Sequence, residues 1–133
     1  RTTVSELCLG GLIKHVTHVE HHWADFIRHG SPEGQVMDEA AMESHAATFR
    51  MLEGETVAEL LDRYQQTADA TDDLVRTLPS LDHSHPLPVA PWFPPGARWT
   101  ARRTVLHIIA ETAQHAGHAD ILREAVDGAK TMG

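Results

Sequence analysis

The sequence predicts an all-α helical bundle, on three observations. Apolar residues recur at three- and four-residue spacing in three separate segments. Capping and breaking residues stand where those segments begin and end. No stretch alternates apolar and polar residues with the period of a strand.

The first helix is expected over residues 5–29, where Leu12, Val16, Val19, Trp23 and Phe26 share one face. The pair Gly10-Gly11 weakens its opening turns, and "HGSPEG" at 29–34 supplies the turn that ends it. Residues 35–53 contain "MDEAAMESHAATF", whose apolar stripe is poor, so they read as loop with a helical turn at most. A clean start follows at "GETVAELL": Thr56 is placed as N-cap and Glu59, three residues on, as its reciprocal partner in a capping box. Val57, Leu60, Leu61, Tyr64, Ala68, Thr71, Leu74, Val75 and Leu78 carry the stripe onward until Pro79 stops it. Residues 79–98 hold six of the seven prolines and read as one long loop, a length that in a compact domain often serves function. The last helix runs from near Thr100 to about Val126, with Gly128 as its stop.

Length and composition narrow the function. The 133 residues suit one domain, 1–133, with a real core. A net charge of −8 without a Lys/Arg cluster argues against nucleic-acid binding. No apolar run approaches the roughly 20 residues of a membrane span, and no signal peptide is visible. The single cysteine, Cys8, excludes an internal disulfide framework and fits a reducing cytoplasm. With no His three or four residues away, Cys8 itself reads as a small apolar core residue. Any metal must therefore rest on His and carboxylates. The chain opens at Arg1 without Met, which suggests a missing upstream piece. Three amphipathic helices leave an apolar flank, so a fourth helix is expected from such a piece or from a partner chain, as in a homodimer.

Eleven histidines are the compositional outlier. In "LIKHVTHVEHHW", His15 falls roughly 60° from the apolar line and His22 roughly 80°, while His18 lies near 120° and His21 faces solvent. The last helix has its apolar line through Val105, Ile109, Thr112, Ala116 and Ala119. His115 falls roughly 50° from it, Glu111 roughly 90°, His118 roughly 110°, and His107 further out. Glu111, His115 and His118 thus stack along one edge. Glu-x-x-x-His on one helix and a His from a facing helix make three N/O ligands with a position left open, the catalytic pattern. The competing reading is a set of satisfied polar groups at helix edges. Against it, imidazoles and a carboxylate inside apolar stripes of two helices are costly unless paired.

Other residues carry two readings each. Trp92 and Phe93 either lid a pocket or pin the Pro-rich loop. Arg98, Arg102 and Arg103 open the last helix, where cations oppose its dipole. They serve surface ion pairs, or Arg102 and Arg103 hold an anionic substrate or the polar groups of a thiol cofactor. Glu20 and Asp120 are candidate partners of His side chains.

Together "GGLIKHVTHVEHHWADF", "FRMLEGETVAELLDRYQQ", "HIIAETAQHAGHADILREAVDG" and Trp99 closely resemble the DinB-like superfamily, in the branch grouped with actinobacterial mycothiol-dependent enzymes. The resemblance implies a four-helix bundle whose first helix has no counterpart here. It also implies a His-based divalent metal site, zinc first, with nickel or iron as alternatives. A low-molecular-weight thiol such as mycothiol would be the cosubstrate, as in maleylpyruvate isomerase and related S-transferases. The family's first metal histidine matches His15. Its usual His-x-x-x-His pair lands on Glu111 and His115, with His118 as rival ligand; His118 or His18 serves as catalytic base or as a support for the ligands. The implied activity is attack of a metal-activated thiol on a small electrophilic substrate. A non-catalytic metal-binding bundle and a hydrolase using metal-bound water are the alternatives.

Overall fold

A computed structural model describes residues 5–131; the remaining ends of the 1–133 assignment lie outside the described residues. The order is α1 (Leu9–His29), α2 (Glu39–Ala47), α3 (Val57–Thr77), β1 (Ser84–Pro86), β2 (Arg98–Thr100) and α4 (Ala101–Asp127). The architecture is all-α, with one small antiparallel hairpin.

The central helix, α1, packs along both α3 and α4. Its buried positions Leu12, His15, Val19, Phe26 and Ile27 follow the helical repeat. Ala24 and Ile27 meet Leu74 of α3 and Ala101 of α4, and Leu78, Leu81 and Val105 close around them. This apolar cluster locks one end of the bundle. Burying a side chain such as Ile27 stabilises it by about 1.5–3 kcal/mol.

The capping box of α3 is present in full: Thr56 Oγ1 accepts from the Glu59 N–H, and the Glu59 carboxylate accepts from the Thr56 N–H. Thr100 caps α4 through the Arg103 N–H, and Gly128 ends it in the left-handed conformation, φ 74°.

Several expectations are corrected. α1 starts at Leu9, because Cys8 is its N-cap and its sulfur accepts from the Gly11 N–H at 3.3 Å. Cys8 is accordingly exposed, not a core residue. Gly10 and Gly11 lie buried inside the helix instead of fraying it. A Cβ on Gly11 would stand 2.0 Å from the Phe49 carbonyl oxygen, and one on Gly10 2.2 Å from Met51 Sδ. The pair is a saddle on which the 49–51 segment rests.

Residues 39–47 form a true helix, capped by Asp38, though none of its residues is buried. The Pro-rich segment is a loop only in part. Ser84 pairs with Thr100 and Pro86 with Arg98, and Val36 bridges to Val89. These pairings are too short to show as alternation. On α4 the buried line is Ala101, Thr104, Ile108, His115 and Leu122, whereas Ile109 and Ala116 are exposed. The helix is apolar on more than one face, and Thr104, wholly buried, hides the inward one.

Candidate metal centre

His15 and His115 come from the inward lines of α1 and α4, which face each other roughly two to three turns beyond the apolar cluster. Glu111 precedes His115 by one helical turn. Ligand atoms of His15, Glu111 and His115 all lie within 4.8 Å of one another. The imidazoles of His15 and His115 meet edge to face at 4.7 Å. Two imidazoles and a carboxylate form a donor set suited to a divalent ion such as zinc.

His15 is 1% exposed and held on all sides. Phe49 stacks on its ring at 3.6 Å, 17° from parallel, and the His45 ring meets it edge-on at 5.0 Å. Its Nδ1 lies 2.7 Å from Thr48 Oγ1. The Thr48 hydroxyl donates its one hydrogen to the His45 carbonyl at 2.6 Å. It can therefore only accept from His15, which fixes the proton on Nδ1 and leaves the Nε2 lone pair free. Burial, reinforced by His115, His45 and His18, pushes the His15 pKa down to about 3. The ring is neutral at physiological pH and available as a ligand.

The other two members are similarly braced. Nε2 of His115 faces Glu111 Oε2 at 3.6 Å, and its Nδ1 lies 3.3 Å from His118 Nδ1. Desolvation lowers the His115 pKa although Glu111 opposes the shift. The second carboxylate oxygen of Glu111 faces His107 Nε2 at 3.7 Å. Burial likewise lowers the His107 pKa against the pull of Glu111.

A cleft of about 530 Å³ opens beside Glu111 and His107. Trp23 and Trp99 stack at 4.8 Å in its wall, with Phe93 edge-on to Trp99 at 5.7 Å. Trp92 and Phe93 both line it, so the Pro-rich loop forms part of the site's mouth. His45 and Met42 of α2 form the facing rim. Another groove, about 490 Å³, passes Lys14 and Arg63 but reaches none of the three clustered residues. Both of its cations already pair with Glu55.

The structure brings His15, Glu111 and His115 together and sets His118 behind His115. It departs from expectation at several residues. His22 is exposed at the cleft rim instead of reaching inward, and His107 is half-buried against Trp23, Trp99 and Glu111 instead of lying outside. Arg102 pairs with Asp82 at 3.5 Å, and Arg103 lies 4.3 Å over the Trp99 ring. Neither lines the cleft. Arg98 ties the hairpin through Ser84. Glu20 is buried near Tyr64, whose pKa is raised by burial and, less, by Glu20, and Asp120 accepts from Thr131. Among the described residues, neither hydrogen-bonds to a histidine of the cluster. Sequence reasoning missed Thr48, Phe49 and His45, which lie in the segment with no apolar stripe.

A family model described as mycothiol-S-transferase matches residues 1–128. The chain belongs to the mycothiol S-transferase family. No curated protein and no solved structure matches it. Mycothiol S-transferase membership agrees with the resemblance carried by the histidine-rich motifs. No helix among the described residues is long and apolar enough to cross a membrane.

Proposed function

We propose that the protein is a metal-dependent enzyme using an external thiol, mycothiol or a close relative, against a small electrophilic substrate. The observation that carries this reading is the convergence of His15, Glu111 and His115, with Glu111 lining a ligand-sized cleft, in a chain of this family. These three residues would hold a divalent ion, zinc first and nickel or iron as alternatives. Such an ion favours the thiolate over the thiol at neutral pH.

The chain's own residues supply the rest. Thr48 keeps the His15 proton on Nδ1, and His118, whose Nδ1 lies 3.3 Å from His115 Nδ1, braces the His115 ring. This makes His118 a positioning residue and not a base aimed at substrate. The sulfur forms the new bond, the thiol proton goes to solvent, and the leaving group departs with its electron pair. In an isomerisation the thiol itself leaves again. Arg103 acts only through Trp99, and Arg102 keeps its ion pair. The cytoplasm, where such thiols stay reduced, is the setting this chemistry requires.

The test is turnover of iodoacetamide by protein purified without a tag or chelator. The reading expects rates that depend on both metal and thiol. It also expects a sulfur-to-metal charge-transfer band when thiol is added to cobalt-substituted protein. Thiol-independent ester hydrolysis with a silent cobalt spectrum would instead establish the hydrolase reading. Silence in both assays would leave a structural metal-binding bundle.

A further inference from the structure

The hairpin carries a pair of histidines that the cluster of His15, Glu111 and His115 does not use. His83 and His85 stand two apart in "HSHP", a spacing that puts both side chains on one face of an extended chain. Their Nε2 atoms lie 3.1 Å apart, with the rings nearly perpendicular and the centroids 4.6 Å apart. Rings meeting head-on would separate the centroids by the gap plus both ring radii. The shorter distance means that the two ring axes converge. The hairpin holds the pair in place: His85 pairs with Trp99, and the Ala101 N–H donates to the His83 carbonyl at 2.9 Å. The His85 ring lies against Gly30, where an added Cβ would stand 2.8 Å from its Nδ1, and edge-on to Phe26 at 5.7 Å. Its Nδ1 side thus faces the end of α1, and its Nε2 faces His83. His83 is exposed and His85 half-buried, so solvent reaches the pair.

Two imidazoles that aim Nε2 at one point make a chelating pair. Metal–nitrogen bonds of about 2.0–2.1 Å hold two nitrogens about 2.9 Å apart at a right angle and about 3.3 Å apart at the tetrahedral angle. The observed 3.1 Å falls between these values. Without an ion, the same gap takes one N–H···N hydrogen bond, with the proton on one of the two Nε2 atoms. An ion instead needs both Nε2 lone pairs. Asp82, next in sequence to His83, is paired with Arg102 at 3.5 Å. Among the described residues, no His, Cys, Asp or Glu completes a three-ligand group with the pair. We propose that His83 and His85 form a metal site apart from His15, Glu111 and His115: a solvent-exposed two-histidine clamp for a late first-row divalent ion such as zinc, copper or nickel. Its other coordination positions are open to water, so the ion exchanges with solvent and is washed out during purification. The site is therefore read by titration and does not rest on the thiol-transfer reading.

Zinc titration of the isolated protein at neutral pH, followed by imidazole nitrogen NMR, tests the clamp. Each ring is read separately, so the result holds whether or not the His15 cluster is occupied. The expected result is a saturable shift of the His83 and His85 Nε2 resonances together, at about one ion per pair. Magnesium at the same concentration should leave both unmoved, because it takes oxygen ligands. His83→Ala, at an exposed position, should keep the fold and weaken zinc binding at His85 at least about tenfold, the lower end of the cost of losing even a ligand's supporting partner. His21→Ala should leave it unchanged. A response from only one of the two rings overturns the proposal, as does undiminished binding at His85 in His83→Ala. So does a pair that stays unmoved at saturating zinc, which would leave a hydrogen bond and no metal site.

Discussion

At the scale of single residues, His15 depends on a neighbour that no sequence pattern announces. Thr48 spends its hydrogen on the His45 carbonyl and must accept from His15 Nδ1. Replacing it with the isosteric valine removes the acceptor and leaves a buried N–H without a partner. We predict that Thr48→Val lowers zinc affinity by about 10–100-fold, whereas Thr48→Ser keeps it. Imidazole nitrogen NMR of the metal-free protein should show the His15 proton on Nδ1 in wild type and Thr48→Ser, and a shift towards the other tautomer in Thr48→Val. Unchanged affinity and tautomer in Thr48→Val would mean that the hydroxyl does not position the ring.

That His15 and His115 turn toward each other was legible because spacing along a long helix fixes direction, and the choice of Glu111 as the third residue came from the family resemblance. His107 was misplaced because α4 carries apolar residues on two faces. Leu106, Ile109 and Ile121 are 56%, 59% and 65% exposed, and a line drawn through Ile109 turns the helix away from its buried edge. Thr48 and Phe49 were invisible for a different reason. They reach His15 from the C-terminal end of a helix that buries none of its own residues, so periodicity carries no trace of the contact.

Among the elements, the contact between α1 and the 49–51 segment decides whether that bracing exists. Two glycines in the first turn of α1 give up helix propensity, at most about 1 kcal/mol each, and in return let the Phe49 carbonyl and Met51 sulfur come close. The sequence showed the propensity loss and not the gain, since only the fold reveals what crosses there. Gly11→Ala tests which effect dominates. Propensity alone makes it stabilising. A Cβ 2.0 Å from a backbone oxygen cannot be accommodated without shifting the chain, so we expect a net loss of about 1–3 kcal/mol in denaturant unfolding. A variant as stable as wild type, or more so, would show that the 49–51 segment is free to move off α1. By contrast, the capping box of α3 was fully legible, because Thr56 and Glu59 act through local hydrogen bonds that need no tertiary partner.

For the whole molecule, an apolar cluster at one end of the bundle sets α1, α3 and α4, and roughly two to three turns further along α1 and α4 stand His15, Glu111 and His115. Large apolar side chains remain outside: Leu61 on α3 is 50% exposed, and Leu106, Ile109 and Ile121 on α4 are more so. We propose that a second copy of the chain covers this flank. Sedimentation at micromolar concentration should show a dimer, and a monomer would contradict it. Whichever state is found, the cluster of His15, Glu111 and His115 is built within one chain, from α1 and α4. The measurement that bears most directly on it is the metal content of protein purified without a tag or chelator. Wild type and His21→Ala, changed only on the solvent face, should each carry about one divalent ion per chain, while His15→Ala and His115→Ala should carry almost none. Equal metal content in all four proteins would contradict the assignment of His15, Glu111 and His115 as the site.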